Sequence, residues 1–225
     1  MFIRTALLVL KKDFAIELKT GEMFYTTLLF AVATVMIFSF SFVKDGVPIE
    51  GTAAGIVWIA VLFAGNLALG RTFERERYGE TIRALLLSPA PRAAVYVGKL
   101  LGIVLLMVAA EVLLVPMVAV LFQQPMFAQP ALLIAVFLCG TIGFAAVGTL
   151  FAAMLLRVGT RAILLPIVLY PMTVPVIIAG VLGTSALLEE TPNIPMARFW
   201  LALLVAYDVV FVVLSLWTFE PLMTE

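Results

Sequence analysis

The chain contains no histidine, a single cysteine and few charges, which make up 12% of its residues. Without imidazole, no His-based catalytic or metal-binding site can be built. The lone Cys139 rules out a disulfide within the chain; set in an apolar run, it reads as a small buried residue. Fourteen Lys and Arg balance fourteen Asp and Glu, so the chain has net charge zero and no basic excess for nucleic acid. A phosphate-binding loop is also missing. The only Gly-Lys pair is Gly98-Lys99, and the position that would have to be glycine is Ala93. No internal repeat, low-complexity tract or separate soluble domain stands out, and residues 1–225 read as one domain.

Apolar side chains are what the chain has in abundance. They make up 64% of the residues, and the mean hydropathy is +1.19, outside the range of a soluble domain. A membrane-crossing helix needs about 20 apolar residues, and the pattern predicts six: Phe24–Val43, Gly51–Leu69, Leu100–Phe122, Ala131–Leu156, Ile163–Leu182 and Phe199–Phe219. The fold class is therefore an all-α membrane protein. Orientation follows from the excess of Lys and Arg on the cytosolic side of membrane proteins. With the N-terminus in the cytosol, Arg4, Lys11, Lys12, Lys19, the six basic residues of Arg71–Lys99, Arg157 and Arg161 all lie inside. Only Lys44 and Arg198 lie outside. Six spans return the C-terminus to the cytosol.

Ahead of the first span, residues 1–22 lack a small-residue cleavage pattern and do not read as a removable signal. Ile3, Leu7, Leu10, Phe14 and Leu18 recur at helical spacing, with Arg4, Lys11, Lys12 and Lys19 on the polar side. This predicts an amphipathic helix lying in the cytosolic interface. Lys44-Asp45-Gly46-Val47-Pro48 predicts a tight outer turn. Gly55 and Gly65 in span two, and Gly140, Gly143 and Gly148 in span four, predict close helix packing. Asn66 reads as a hydrogen-bonded packing residue. The outer segment Gly183–Ala197, with Glu189-Glu190, Pro192 and Pro195, suggests a short surface helix.

The polar interval Arg71–Lys99 interrupts this apolar chain. After Gly79 a short helical pattern runs from Glu80 to Leu87 and stops before Ser88-Pro89. Ile82, Leu85 and Leu86 share one face, while Glu80 and Arg83 point elsewhere. Two readings stand: a helix made for a groove in another protein, or a helix lying on the membrane surface.

Two acids fall inside spans. Glu111 sits near the centre of span three, shortly before Pro116, and Asp208 near the middle of span six. A charge at that depth costs about 2.5–3.5 kcal/mol on insertion scales, and no basic residue lies at membrane depth to pair with it. Such an acid faces a protein interior, a wet cavity or a partner subunit, or it stays protonated. For each, a substrate-path role and a satisfied structural carboxylate both remain open. In span five Pro166, Pro171 and Pro175 each remove an amide donor and predict kinks. Broken helices of this kind line transport paths in some carriers and serve packing in others.

The run GIVWIAVLFAGNLALGRTFERERYGETIRALLLSPAPRAAVYVGKLLG, Gly55 to Gly102, resembles the CcmB family, the permease subunits of the bacterial cytochrome c maturation ABC exporter. The opening LKKDFAIELKTGE and the LYPMTVPVII stretch of span five are similar to the family as well. The resemblance implies an ABC-2-type permease fold in the bacterial cytoplasmic (inner) membrane. The N-terminal helix would be the elbow. Gly79, Glu80, Ile82, Arg83, Leu85 and Leu86 would form the coupling helix that docks on an ATPase subunit, CcmA. Two permease copies would associate with CcmC and work with the haem chaperone CcmE. ATP and Mg would be held by the ATPase, not by this chain, and haem would be handled by the complex; with His absent, Met or Tyr could serve as axial ligand, a partner being the favoured source. Glu111, Pro116, Pro171, Pro175 and Asp208 are the candidates for a substrate path or polar seam. The chain itself is read as a non-enzyme. The competing readings are an ABC-2 exporter of lipid, drug or glycan, and a non-transporting membrane anchor for the ATPase.

Overall fold

The computed structural model describes residues 2–44, 47–49, 51–78, 91–155 and 161–222. Seven α-helices account for nearly all of these: α1 (Phe2–Thr20), α2 (Glu22–Phe42), α3 (Thr52–Tyr78), α4 (Arg92–Leu121), α5 (Pro130–Met154), α6 (Arg161–Leu188) and α7 (Ile194–Leu222). Helices α2 to α7 each contain a stretch long and apolar enough to cross a membrane, matching the six expected spans. A two-residue antiparallel ladder, Val43–Lys44 against Val47–Pro48, closes the turn between α2 and α3. A short 3-10 turn, Met126–Ala128, joins α4 to α5.

Helix α1 carries the expected amphipathic pattern. Ala6 and Val9 are buried, whereas Ile3 is 73% and Leu18 82% exposed, as befits a helix whose other apolar surface meets lipid. It lies on the first turns of α4. A side chain at Gly98 would run into the Ala6 carbonyl and Val9 at 2.8 Å, so glycine sets that approach. Gly21, with φ +60°, turns the chain from α1 into α2 through a backbone conformation few other residues adopt.

Gly140 and Gly148 of α5, Gly65 of α3 and Gly180 of α6 each make room for large side chains. Trp58 of α3 fills the space beside both Gly140 and Gly180. Its ring stacks on Phe137 at 5.1 Å, and its indole N–H donates to Thr184 Oγ1 at 2.9 Å. Leu69 packs on Gly148, and Phe144 and Met107 close on Gly65. Gly55 differs from expectation: open space surrounds its missing side chain, so it mediates no close packing. Asn66 Oδ1 is buried and accepts no hydrogen bond among the described residues, contrary to the hydrogen-bonded role expected of it.

Three boundaries move. Helix α4 begins at Arg92 rather than near Leu100, because Tyr96 is fully buried and donates its hydroxyl to the Ala146 carbonyl at 3.0 Å. Helix α6 runs unbroken from Arg161 to Leu188, so Pro166, Pro171 and Pro175 do not split it and Gly183–Leu188 belong to it rather than to a surface helix. At that level Thr173 donates to the Leu169 carbonyl at 3.0 Å, and the Tyr207 hydroxyl donates to the Met172 carbonyl at 2.7 Å. These bonds lie beside the prolines, whose missing amides would have served the carbonyls of Ala162, Ile167 and Pro171. Helix α7 starts at Ile194 because Asn193 caps it, accepting the Met196 amide at 3.2 Å.

Candidate functional site

The chemistry the sequence points to lies in two places, the polar interval Arg71–Lys99 and the two acids inside apolar helices. Gly79, Glu80, Ile82, Arg83, Leu85 and Leu86 lie outside the described residues, but the two helices that present them do not. Helix α3 leaves its membrane stretch at Arg71 and continues to Tyr78. Helix α4 picks up at Arg92. Both flanks are tied to the N-terminal region. Arg71 pairs with Glu22, at the start of α2, at 2.9 Å. Lys99, only 3% exposed, pairs with Asp13 of α1 at 2.6 Å. The exposed Arg71 pair contributes little by itself. The buried Lys99 pair is different, since its ammonium is held out of water, where a carboxylate counts for more. The segment between these flanks thus enters and leaves the membrane beside the α1–α2 corner.

Glu111, 6% exposed, accepts a hydrogen bond from the Thr141 hydroxyl of α5. It lies at one wall of an apolar groove of about 420 Å³ between α4 and α5, lined also by Val112, Pro116, Phe127, Ile134 and Phe137. Val112 is 66% exposed, so the groove opens sideways rather than into the interior of the bundle. Pro116 helps line it. Thr141 is the functional neighbour the sequence reading missed. A hydroxyl thirty residues away on another helix leaves no local signal.

Asp208 occupies another place. A side chain at Gly143 would come within 2.6 Å of Asp208 Oδ1 and 3.1 Å of Tyr207. The acid therefore rests against the glycine of α5, and Oδ1, buried, accepts no hydrogen bond among the described residues. Thr141 and Gly143 are two residues apart, roughly 200° around a helix. Glu111 and Asp208 therefore lie on opposite sides of α5. Within one chain they do not form a single seam among the described residues; Pro171 and Pro175 are on α6, to whose Met172 carbonyl Tyr207, the neighbour of Asp208, donates. No group of three or more His, Cys, Asp and Glu comes together among the described residues either.

Six apolar helices behind an amphipathic helix, with acids inside the apolar stretches, define a multi-pass all-α membrane protein. The CcmB protein family model matches residues 4–221, and the chain belongs to that family. It is 28% identical over 181 residues to heme exporter protein B of Pseudomonas aeruginosa, covering 80% of this chain and 79% of that protein. To heme exporter protein B of Rhodobacter capsulatus it is 29% identical over 188 residues, covering 82% and 86%.

Proposed function

We propose that this chain is the permease subunit of an ABC transporter complex serving cytochrome c biogenesis in the bacterial inner membrane, with both termini in the cytosol. The observation that carries the reading is the family match from residue 4 to 221, together with relatives named heme exporter protein B. The chain holds no nucleotide site of its own, so ATP and Mg belong to a CcmA-like ATPase. A CcmC-like membrane protein, a CcmE-like haem chaperone and a second permease copy complete the assembly. Gly79, Glu80, Ile82, Arg83, Leu85 and Leu86 form the face that the ATPase grips. ATP-driven closure of the ATPase pair moves that face, and α3 and α4 carry the motion into the membrane as a two-state rearrangement. The chain works as a mechanical transducer and performs no catalysis.

One observation favours a particular form of this activity. Because α5 stands between Glu111 and Asp208, these two acids form no continuous polar route for haem among the described residues, which favours axial ligands from a partner. That arrangement supports use of the ATP cycle to release haem-loaded chaperone over passage of haem through this subunit. Two experiments test the proposal. Leu85→Asp combined with Leu86→Asp is expected to abolish co-purification with the ATPase while the permease still inserts; retained binding refutes the groove role. Glu111→Gln and Asp208→Asn are expected to leave cytochrome c maturation intact under the release reading. A strong defect in both, at normal protein levels, would instead place the acids on a substrate path.

A further inference from the structure

The groove between α4 and α5 has the outline of a seat for a third helix. Its walls are two stripes at helical spacing, Val108, Val112 and Pro116 on α4 and Pro130, Ile134 and Leu138 on α5. Each stripe runs about 12 Å along its helix. Rows of side chains four residues apart are the ridges between which a neighbouring helix packs. The rim is exposed at Val112 and Ile134, while Leu133 and Phe137 are buried at the floor. Glu111 is the one polar side chain in this lining. It is buried, holds the Thr141 hydroxyl on one carboxylate oxygen, and has no second donor among the described residues. From Glu111 to the end of α4 at Leu121 the helix rises about 15 Å. With α4 crossing a bilayer whose hydrocarbon core is about 30 Å thick, that places the acid near the middle of the core.

We propose that this groove seats one transmembrane helix of a different membrane protein, a helix that carries a lysine or arginine near the middle of its apolar span and sets that cation against Glu111. Charge decides the occupant. An acyl chain would cover the carboxylate with hydrocarbon and offer it no donor. A second copy of this chain cannot answer it either, because none of its fourteen Lys and Arg falls at the middle of a span. The nearest basic residue on α4 is Lys99, about 18 Å along the helix from Glu111 and already bound to Asp13. A base at mid-span in the other protein is equally costly alone, and ionisable groups inside membranes pair with one another for that reason. The Thr141 hydroxyl fixes one oxygen of the carboxylate and leaves the other for a charge-assisted bond to the incoming N–H donor.

The test places the photoprobe p-benzoylphenylalanine at Val112, on the exposed rim beside Glu111, in the full chain expressed in its own host membranes. After irradiation the adducts are mapped by mass spectrometry. The expected adduct is an apolar span of about 20 residues from another protein, with Lys or Arg within one turn of the attachment point. Glu111→Leu should cut its yield about tenfold, and Glu111→Gln, which keeps a carbonyl oxygen as acceptor, should cut it less. Exchanging the charges, Glu111→Lys together with glutamate in place of the partner's base, should restore the adduct; packing alone would not respond to that exchange. The same photoprobe at Trp217, exposed on α7, should give the same products in every variant and so report correct insertion. Adducts with lipid alone, with a second copy of this chain, or with a span that lacks a base at that depth overturn the proposal, as does a yield indifferent to Glu111. If the Glu111 variants fail to insert, the identity of the wild-type adduct still decides. Neither the ATPase contact nor nucleotide enters the readout, so its failure leaves the proposed function untouched.

Discussion

At the scale of single residues, the membrane interior is held by large side chains seated on glycines and by a few polar groups that have found partners in a medium without water. Trp58 is the extreme case, since one ring touches Gly140, Gly180, Phe137 and Thr184. Trp58→Ala is expected to cost about 3–5 kcal/mol, as large-to-small core changes do, and to lower the detergent-solubilised unfolding temperature sharply. Trp58→Phe keeps most of the packing and loses the indole donor, so its loss should stay near 1–2 kcal/mol. A second case is the Glu111–Thr141 pair. Thr141→Val removes the only hydroxyl shown donating to that carboxylate and should destabilise by about 1–3 kcal/mol. Placed on Glu111→Leu, the same change should cost far less, because nothing is left to strand. A double-mutant cycle read by thermal unfolding gives that coupling directly; additive losses would mean that the hydroxyl acts through something other than Glu111. Gly143→Ala tests Asp208 in the same manner. The added carbon meets Oδ1 at 2.6 Å, so the variant should be destabilised, and Asp208→Ala should restore part of the loss by clearing that contact.

At the scale of elements, α1 is clamped more firmly than its exposed apolar surface suggests. Asp13→Ala leaves Lys99 buried beside α1 without its carboxylate, whereas Lys99→Met leaves Asp13 still 3.2 Å from Lys12 and more exposed to solvent. Protease access to residues 1–20 should therefore rise more in Asp13→Ala than in Lys99→Met, because the first takes the carboxylate from a buried ammonium. The reverse order would mean that the stem of Lys99, not its charge, holds the helix. The element level was also where the sequence was most legible. Six apolar runs gave six helices, and the spacing of Ile3 to Leu18 gave α1, because lipid forces every backbone group into local hydrogen bonds and so ties span count to hydropathy. The misses came from contacts made at a distance. The start of α4 depends on Tyr96 reaching Ala146 and the cap of α7 on Asn193, neither of which leaves a periodic trace in its own segment. The candidate site was legible as residue types only. Glu111 and Asp208 stand out by being acids in apolar runs, but nothing local says that Thr141 serves one, that Gly143 adjoins the other, or that α5 separates them.

At the scale of the whole molecule, the polar interval between α3 and α4 is useful to a partner only if it faces the side where nucleotide is hydrolysed. The charges make that orientation strongly preferred. Inverting the chain would carry the basic residues of Arg71–Lys99, along with Arg4, Lys11, Lys12 and Lys19, to the wrong side, against the bias that sets topology over short loops. Fusions of a reporter active only outside the cytosol should therefore be active after Ile49, Gln124 and Pro192 and silent after Ala90, Thr160 and Glu225; a reporter that fluoresces only in the cytosol should show the opposite. Neutralising Arg4, Lys11, Lys12 and Lys19 together should yield a mixed population rather than a clean inversion, because the interval Arg71–Lys99 and the pair Arg157 and Arg161 still hold the later spans. The ion pairs sharpen that expectation. Lys99 with Asp13 and Arg71 with Glu22 join the first inner segment to the second, so a chain with α1 on one side and the interval on the other could form neither. Misoriented molecules should then be short-lived as well as few, and a pulse-chase of the neutralised variant should show the inverted fraction decaying faster than the correct one. An inverted fraction as durable as the native one would mean that the corner between α1 and α4 contributes nothing to holding the two inner segments together.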